Sequence, residues 1–143
     1  MKKIFLIIVL IFTIAVRAQK QDVKKTIKTF FVAFNNKDTA KIKSICANKM
    51  ILQTIQENST QAQLTNVDIT DFLKSISAIG NDFKFNEQIL SYSIQIDGTM
   101  AHVWAPYRFY INNKLSHKGV NTFTLFKENE IWKIIYLIDT RRK

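Results

Sequence analysis

The sequence predicts a single α+β domain in which three helices cover one face of an antiparallel sheet. Apolar residues recur at helical spacing in the first half of the chain, whereas residues 85–143 alternate in short strands separated by turns. The 143 residues include only three Gly and one Pro, which leaves little room for a linker. Helices followed by a meander of strands are typical of segregated α+β architecture.

The first 18 residues have the pattern of a secretory signal peptide. Two lysines precede an unbroken apolar run over 4–16, and residues 16–18 form a small-x-small cleavage signal. A membrane anchor is the alternative, but spanning the hydrocarbon core takes about 20 apolar residues, more than this run provides. We therefore expect cleavage after Ala18, a secreted or periplasmic location, and a mature domain over 19–143 with no membrane association.

The chain is basic and contains one cysteine. The formal net charge is +10, but the lysines are dispersed, without a run longer than two, before the tail Arg141-Arg142-Lys143. This dispersion favours solvated faces over a nucleic-acid interface. Cys46 cannot form an intramolecular disulfide, and its helical spacing with Ile42 and Ile45 indicates a buried, inert thiol.

Three helices and one strand are predicted before residue 85. The first helix has an apolar stripe that includes three phenylalanines, and it ends at the polar run 35–37. Asp38 caps a second, shorter helix, and the alternation over 49–56 predicts a strand. The third helix ends at Gly80 and begins at one of three capping residues: Thr65, Asp68, Thr70.

The turns of the meander set the predicted register of the sheet. We expect two-residue turns at Asp97-Gly98 and Asn112-Asn113, and a four-residue loop over 127–130. This register gives one almost wholly apolar face, which we assign to the helices. The face ends in a polar row, whose members are Gln88, Tyr107, Lys118 and Asp139.

The polar row is the predicted site. Lys118 lies opposite Asp139 in this register, within reach of an ion pair, and Tyr107 adds a hydroxyl. A surface salt bridge, worth at most about 1 kcal/mol, is the structural alternative to a functional role. No second carboxylate is expected on the inner face of the strands over 85–139.

The opposite face mixes aromatic and polar side chains, as protein contact surfaces often do. We expect a homodimer through its centre, formed by Trp104, Asn121, Trp132 and Tyr136. Its last row contains Glu87, Arg108 and His117. His102 and His117 would stand about 20 Å apart and cannot share a metal, so neither a metal nor a cofactor is expected.

Pro106 interrupts the strand that carries Tyr107, because proline has no N–H for the ladder. We expect a bulge there, at which the sheet bends around a helix and leaves a conical cavity. A ligand in that cavity would meet apolar residues and the polar row. The candidate ligand-binding residues are Tyr107, Lys118, Asp139, Tyr92, Gln88 and Phe34.

Three segments resemble a known superfamily. FFVAFNNKDTAKIKSICANKMILQT is similar to the opening of the nuclear transport factor 2-like superfamily. AHVWAPYRFYINNKLSHKGVNTFTL and IWKIIYLIDTRRK resemble its branch named for lumazine binding. The resemblance implies a cone-shaped α+β barrel, of the SnoaL-like and ketosteroid-isomerase-like kind, that dimerises through its sheet. It implies no single function, because the superfamily includes isomerases, cyclases, dehydratases and transport factors.

Three functional hypotheses follow. The first is a noncatalytic exported protein that binds a small apolar or aromatic molecule in the pocket. The second is an isomerase, cyclase or hydrolase in which Asp139 is the catalytic base and Tyr107 orients the substrate. The third is a protein-interaction module that uses the face around Trp104. Side chains that fill the cavity, such as Phe30 and Phe31, would contradict the first hypothesis.

Overall fold

The computed structural model describes the backbone of residues 2–80 and 82–143 and the side chains of residues 17–80 and 82–143. The helices are α1 (Lys2–Asn35), α2 (Thr39–Ile45) and α3 (Ile69–Ser77). The strands are β1 (Cys46–Glu57), β2 (Ala62–Asp68), β3 (Phe85–Ile89), β4 (Ser93–Asp97), β5 (Met100–Ile111), β6 (Lys114–Glu128) and β7 (Ile131–Arg142).

The strands form one curved, unclosed sheet in the order β2-β1-β7-β6-β5-β3, and β4 pairs with the first half of β5. The predicted α+β class, with three helices against a curved sheet, is confirmed. The strands after residue 85 pair antiparallel, as predicted, whereas β1, whose pairing was not predicted, pairs with β7 in parallel. The edge strand β2 was not predicted, since its side chains are almost all exposed and it has no apolar face.

The second and third helices begin at capping residues that the sequence indicates, although α3 ends at Ser77 rather than at Gly80 and α1 begins at Lys2, before the predicted cleavage position. Asp38 caps α2 by accepting a hydrogen bond from Lys41 N, and Asp68 caps α3 by accepting one from Thr70 N. The buried stripe of α1 packs on the sheet, and the rings of Phe30 and Phe31 both meet Phe123 edge-on, with centroids 5.6 and 5.7 Å away. The space between α1 and this part of the sheet is therefore filled by aromatic side chains.

The predicted register of the last three strands was wrong. The β6–β7 connection is a two-residue turn, Asn129-Glu130, with positive φ at both residues, rather than a four-residue loop. Two further shifts occur, where β6 has an extra residue at Ser116 and β7 has one at Ile135. Because side chains alternate along a strand, each extra residue moves the following side chains to the other face.

These shifts exchange residues between the two faces. Asn121 and Trp132, predicted for the dimer face, are buried on the inner face, whereas Trp104 remains half exposed on the outer face. Lys118 is exposed and lies opposite Arg142 rather than opposite Asp139. The predicted Lys118–Asp139 pair is therefore absent from the described structure.

The strand predicted before Asp97 is interrupted opposite Pro106. It divides into β3 and β4 at residues 90–92, and Leu90 N donates to the Pro106 carbonyl. The irregularity therefore lies in the partner strand, and it inverts the faces of β3 relative to the prediction. Gln88 points away from the helices and is exposed, and Glu87 takes the inner position instead.

The predicted signal segment cannot be compared in full, because residue 1 and the side chains of residues 2–16 lie outside the described part of the structure. The predicted cleavage position after Ala18 falls within α1. Within the described residues, no helix combines the length and apolar character needed to cross a membrane.

Candidate functional site

A cluster of buried polar side chains lies at one end of the inner face, where β7 ends between β1 and β6. Within the described side chains, three polar residues are almost fully buried: Thr54, Asn121 and Asp139. They belong to three adjacent strands, β1, β6 and β7, and Cα pairing places Thr54 and Asn121 on either side of Asp139. Burial of polar groups is costly unless they are hydrogen-bonded, so their partners explain why this arrangement is stable.

Asp139 is the centre of the cluster. Its Oδ1 accepts a hydrogen bond from Thr54 Oγ1 at 2.6 Å, and its Oδ2 accepts one from Arg141 Nε at 2.8 Å. The Tyr107 hydroxyl lies 3.2 Å from Oδ2 and 2.9 Å from the Thr140 carbonyl oxygen. A phenol has one proton to donate, so Asp139 and this carbonyl compete for it. Burial, followed by the charges of Asp139 and of Glu87, raises the pKa of Tyr107 well above its ordinary value.

Gly119 allows β5, β6 and β7 to approach closely at this point. A Cβ atom on Gly119 would lie 1.7 Å from the Thr140 carbonyl oxygen and 3.0 Å from the Tyr107 ring. No side chain fits in that space. The glycine is therefore required for the contact between Tyr107 and the end of β7.

Glu87 joins the cluster from β3. Its Oε1 accepts a hydrogen bond of 2.6 Å from Asn121 Nδ2, and its backbone is held by the side chain of Asn35 at the end of α1. Burial raises the pKa of Glu87 to about 7; the hydrogen bond from Asn121 opposes this rise and the charge of Asp139 adds to it. The cluster therefore contains two carboxyl groups in unlike environments.

His117 forms a wall beside the cluster. Its ring stacks on Phe109, with centroids 4.7 Å apart, and meets Tyr107 edge-on at 5.9 Å. Its Nδ1 lies 3.1 Å from Ser116 Oγ. Burial, and then the charge of Arg141, lowers the pKa of His117, although Asp139 opposes this effect. The imidazole is therefore neutral at neutral pH.

A cleft of about 920 Å³ lies next to the cluster, and we call it the terminal cleft. Its size is within the range of small-molecule sites, roughly 300–1,000 Å³. Arg141 and His117 line the cleft and also contact the cluster, whereas Asp139 lies beneath them. The lining residues are Gln56, Glu57, Asn58, Ser59, Ser116, His117, Arg141, Arg142 and Lys143.

Two of the six predicted site residues lie in contact in the structure. Tyr107 and Asp139 are in contact, as the predicted row requires. Lys118 and Gln88 are exposed and lie away from them. The other two belong to the packed interior: Phe34 lies among four aromatic rings, Phe30, Phe72, Phe85 and Phe109, and Tyr92 lies beneath the ammonium of Lys24.

The sequence reasoning missed most of the cluster. Glu87 and His117 were assigned to the outer face, so the expectation of a single inner carboxylate was wrong. Arg141 could have been found, since positions i and i+2 of a strand share a face and Asp139 and Arg141 are two residues apart. Thr54 lies on a strand whose parallel pairing with β7 was not foreseen.

Comparisons with known proteins agree on the fold. No protein-family model matches the chain, and no curated protein is significantly similar to it. An NTF2-like protein from Cytophaga hutchinsonii superposes with a TM-score of 0.69 at 14% identity, covering 87% of this chain and 98% of that one. An NTF2-like protein of unknown function from Shewanella baltica gives a TM-score of 0.65 at 15% identity, over 88% and 95% of the two chains.

The chain has the NTF2-like fold. A candidate dehydratase from the NTF2-like family of Streptomyces avermitilis also matches, with a TM-score of 0.66 and 12% identity, over 89% of this chain and 98% of that one. Identities this low identify the fold alone, because this fold carries many unrelated activities. The lumazine-binding branch stays a prediction from the sequence.

Proposed function

We propose that this NTF2-like protein binds a small molecule in the terminal cleft, without catalysing a reaction. One observation carries the proposal: the side chain of Arg141 lines the cleft and is held from behind by the buried carboxylate of Asp139. Ligand sites are usually clefts of this size in which a few polar groups are held in position, as Asp139 holds Arg141 here.

The site of binding differs from the one that the sequence suggested. Phe30 and Phe31 fill the space beneath α1, where an apolar ligand was expected. The terminal cleft is lined by polar and charged groups, and the ring of His117 is its aromatic surface. The apolar pocket of the first hypothesis is therefore contradicted. Small-molecule binding is proposed instead at the terminal cleft, for a ligand more polar than the sequence indicated.

A ligand screen tests this proposal. A chemically diverse library would be added to the purified protein, with thermal shift and native mass spectrometry as readouts. Binding compounds should shift the backbone NMR signals of Ser116, His117 and Arg141. The chain offers a matched control, because His117→Ala should weaken binding whereas His102→Ala, on the outer face of the sheet, should not. Compounds that bind equally well to His117→Ala and shift the NMR signals of other regions would contradict the proposal.

A proton-transfer enzyme is the second candidate, and the pKa of Glu87 favours it. A group that titrates near 7 can accept and return a proton at neutral pH. Tyr107 and Asp139 lie in the same cluster, which gives the set of two acids and one phenol that isomerase-like chemistry uses. Asp139 was the expected base, but its bond to Arg141 makes Glu87 the better candidate.

Two variants separate these catalytic roles once a screen of isomerase, cyclase, dehydratase and hydrolase substrates finds a turnover. If Glu87 is the base, the pH–rate profile of the wild-type protein has a limb near 7, and Glu87→Gln abolishes turnover. If Asp139 is the base, Asp139→Asn abolishes turnover in a protein that remains folded. Turnover that survives both substitutions would contradict the enzymatic candidate.

We also propose a homodimer through the outer face of the sheet, as the sequence suggested. Four apolar side chains about half exposed on that face support it: Ile51, Met100, Trp104 and Phe126. Trp104→Lys should shift the sedimentation coefficient from dimer to monomer. Val32→Lys, at an equally exposed apolar position on α1, is the control and should leave it unchanged. A monomeric wild-type protein would instead support the interaction-module hypothesis for this face.

Export is proposed from the N-terminal pattern alone. Mass spectrometry of the protein recovered from the cell exterior or periplasm should give a mature N-terminus at Gln19. A full-length protein in the membrane fraction would instead support the anchor.

A further inference from the structure

The geometry points to an anionic ligand: the terminal cleft recognises a small molecule bearing a carboxylate or phosphate through the outer edge of the Arg141 guanidinium. This inference rests on the proposed function, because it concerns the same cleft. It adds the chemical class of the ligand and the group that binds it.

Among the described side chains, the hydrogen bonds of Arg141 involve one edge of its guanidinium. Nε donates to Asp139 Oδ2 at 2.8 Å, and Nη2 lies 3.3 Å from Thr54 Oγ1, so the edge formed by Nε and Nη2 faces the buried cluster. A guanidinium has five N–H groups in a fixed plane. The edge formed by Nη1 and Nη2 remains, and the side chain that carries it is 46% exposed and lines the cleft.

That remaining edge is suited to an oxyanion. Two parallel N–H groups match the spacing of two oxygens of a carboxylate or phosphate, and such paired bonds are stronger than neutral ones. Asp139 fixes the guanidinium plane and is itself fixed by Thr54. The side chain therefore loses little conformational freedom when the ligand binds.

The charge around the cleft is compatible with an anion. Arg142 and Lys143 also line it, and the acidic residue in its wall, Glu57, is paired with Arg142 at 3.1 Å. The nearest buried carboxylate, Asp139, already lies behind Arg141 and is shielded from the cleft. The lining thus has three cationic side chains and one acidic side chain, so its net charge is positive.

His117 indicates where the rest of the ligand lies. One face of its ring is covered by Phe109, and the residue also lines the terminal cleft. A flat organic group can pack there while its anionic end reaches Arg141. We therefore expect an organic anion with a planar body to bind more tightly than inorganic phosphate.

The experiment compares an anion with its neutral counterpart. Benzoate, benzamide and inorganic phosphate would each be titrated into isotope-labelled protein at constant ionic strength, with backbone NMR signals as the readout. Benzoate should shift the signals of residues 116–117 and 141–143 saturably, and benzamide should bind about tenfold more weakly. Phosphate should shift the same signals at higher concentration.

Three variants assign the effect to Arg141. Arg141→Gln should weaken benzoate about tenfold, because a charge-assisted pair is lost. Lys25→Gln removes the same charge from the solvent side of α1 and should change affinity less than twofold. Arg141→Lys keeps the charge but lacks the two parallel N–H groups, so its affinity for benzoate should be intermediate. If Arg141→Gln does not fold, the Arg141→Lys titration and the shift pattern of the wild-type protein decide the question.

Each contrary result has a defined meaning. Equal binding of benzoate and benzamide, or equal effects of Arg141→Gln and Lys25→Gln, would overturn anion recognition while leaving a ligand site in the cleft. Shifts spread over the lysines of α1 would show nonspecific ion binding and would also overturn it. If benzoate and phosphate bind nowhere but neutral library compounds shift residues 116–117, the inference fails and the proposed function stands.

Discussion

The two ends of the inner face are stabilised in different ways. At one end, which we call the apolar end, the helices cover Val103, Phe123 and Leu125, and all three are fully buried. At the other, the polar end, α1 has already ended at Asn35, and the buried groups around Asp139 are satisfied by one another. Apolar burial needs no orientation, whereas each polar group depends on a particular partner. The apolar end therefore holds the fold together, and the polar end carries the candidate chemistry.

The largest effect is expected at the apolar end. Phe123→Ala should lower the free energy of unfolding by about 3–5 kcal/mol, because a large ring packed against Phe30 and Phe31 is replaced by a cavity. Urea denaturation followed by circular dichroism measures the change. Phe83→Ala, at a residue that is 42% exposed, is the control and should cost less than about 1 kcal/mol. Equal costs would mean a loosely filled interior and would revive an apolar pocket beneath α1.

At the polar end, Asp139→Asn should cost about 2–4 kcal/mol, because it leaves the inner edge of Arg141 without its carboxylate. The amide has one acceptor oxygen in place of two and cannot replace the charge. Asp97→Asn, at the exposed end of β4, is a matched control and should be nearly neutral. A cost below about 1 kcal/mol for Asp139→Asn would mean that the two ends do not differ in their dependence on specific partners.

Much of the apolar end could be predicted, because it depends on periodicity. Phe30 and Phe31 were predicted from their spacing, and the cap at Asp38 from its position before a helix. Both predictions use nearby residues, so an error in the strand register does not affect them. The burial of Cys46 was equally local, and that burial raises the pKa of its thiol to about 12, as an inert cysteine requires.

The polar end could not be predicted in the same way, because it depends on register. One extra residue at Ser116 and one at Ile135 decide that Asn121 faces inward and that Asp139 lies opposite it. Nothing in the composition of β6 marks either position. The parallel pairing that carries Thr54 to Asp139 is a long-range contact, 85 residues apart in the chain. Of the cluster, only Tyr107 and Asp139 were foreseen.

A third substitution tests whether the polar end needs its close strand approach. Gly119→Ala places a methyl group against the Thr140 carbonyl and should cost roughly 1–3 kcal/mol, because backbone must move to relieve the contact. The ring of Tyr107 lies beside this methyl group, so its hydroxyl should lose the bond to Asp139. Burial and, to a smaller extent, that bond raise the pKa of Tyr107, so the tyrosine absorbance titration should shift toward lower pH. Gly80→Ala, where a new Cβ meets open space, is the control. An unchanged Tyr107 titration would show that the hydroxyl does not depend on this geometry.

The smallest effect, and the most specific, is the pH dependence that Glu87 gives to the polar end. Its pKa is about 7 in the folded protein against 4.5 for a free glutamate, so ionisation is easier in the unfolded chain. The contribution of Glu87 is therefore fully present below pH 4.5 and is lost as the pH rises from 4.5 through 7. Glu87→Gln keeps the shape and the bond to Asn121 without titrating.

Urea denaturation of the wild-type protein and of Glu87→Gln between pH 4.5 and pH 8 measures the contribution of Glu87 to the pH dependence of the free energy of unfolding. His117 has the opposite dependence, because its lowered pKa makes stability fall as the pH drops below its ordinary range, but both proteins contain it and it cancels in the difference. The stability of the wild-type protein relative to the variant should decrease with rising pH. Parallel curves for Glu87→Gln would mean that Glu87 has the same pKa in the folded and the unfolded protein. The acid–base candidate would then lose its support, while the binding role of Arg141 would be unaffected.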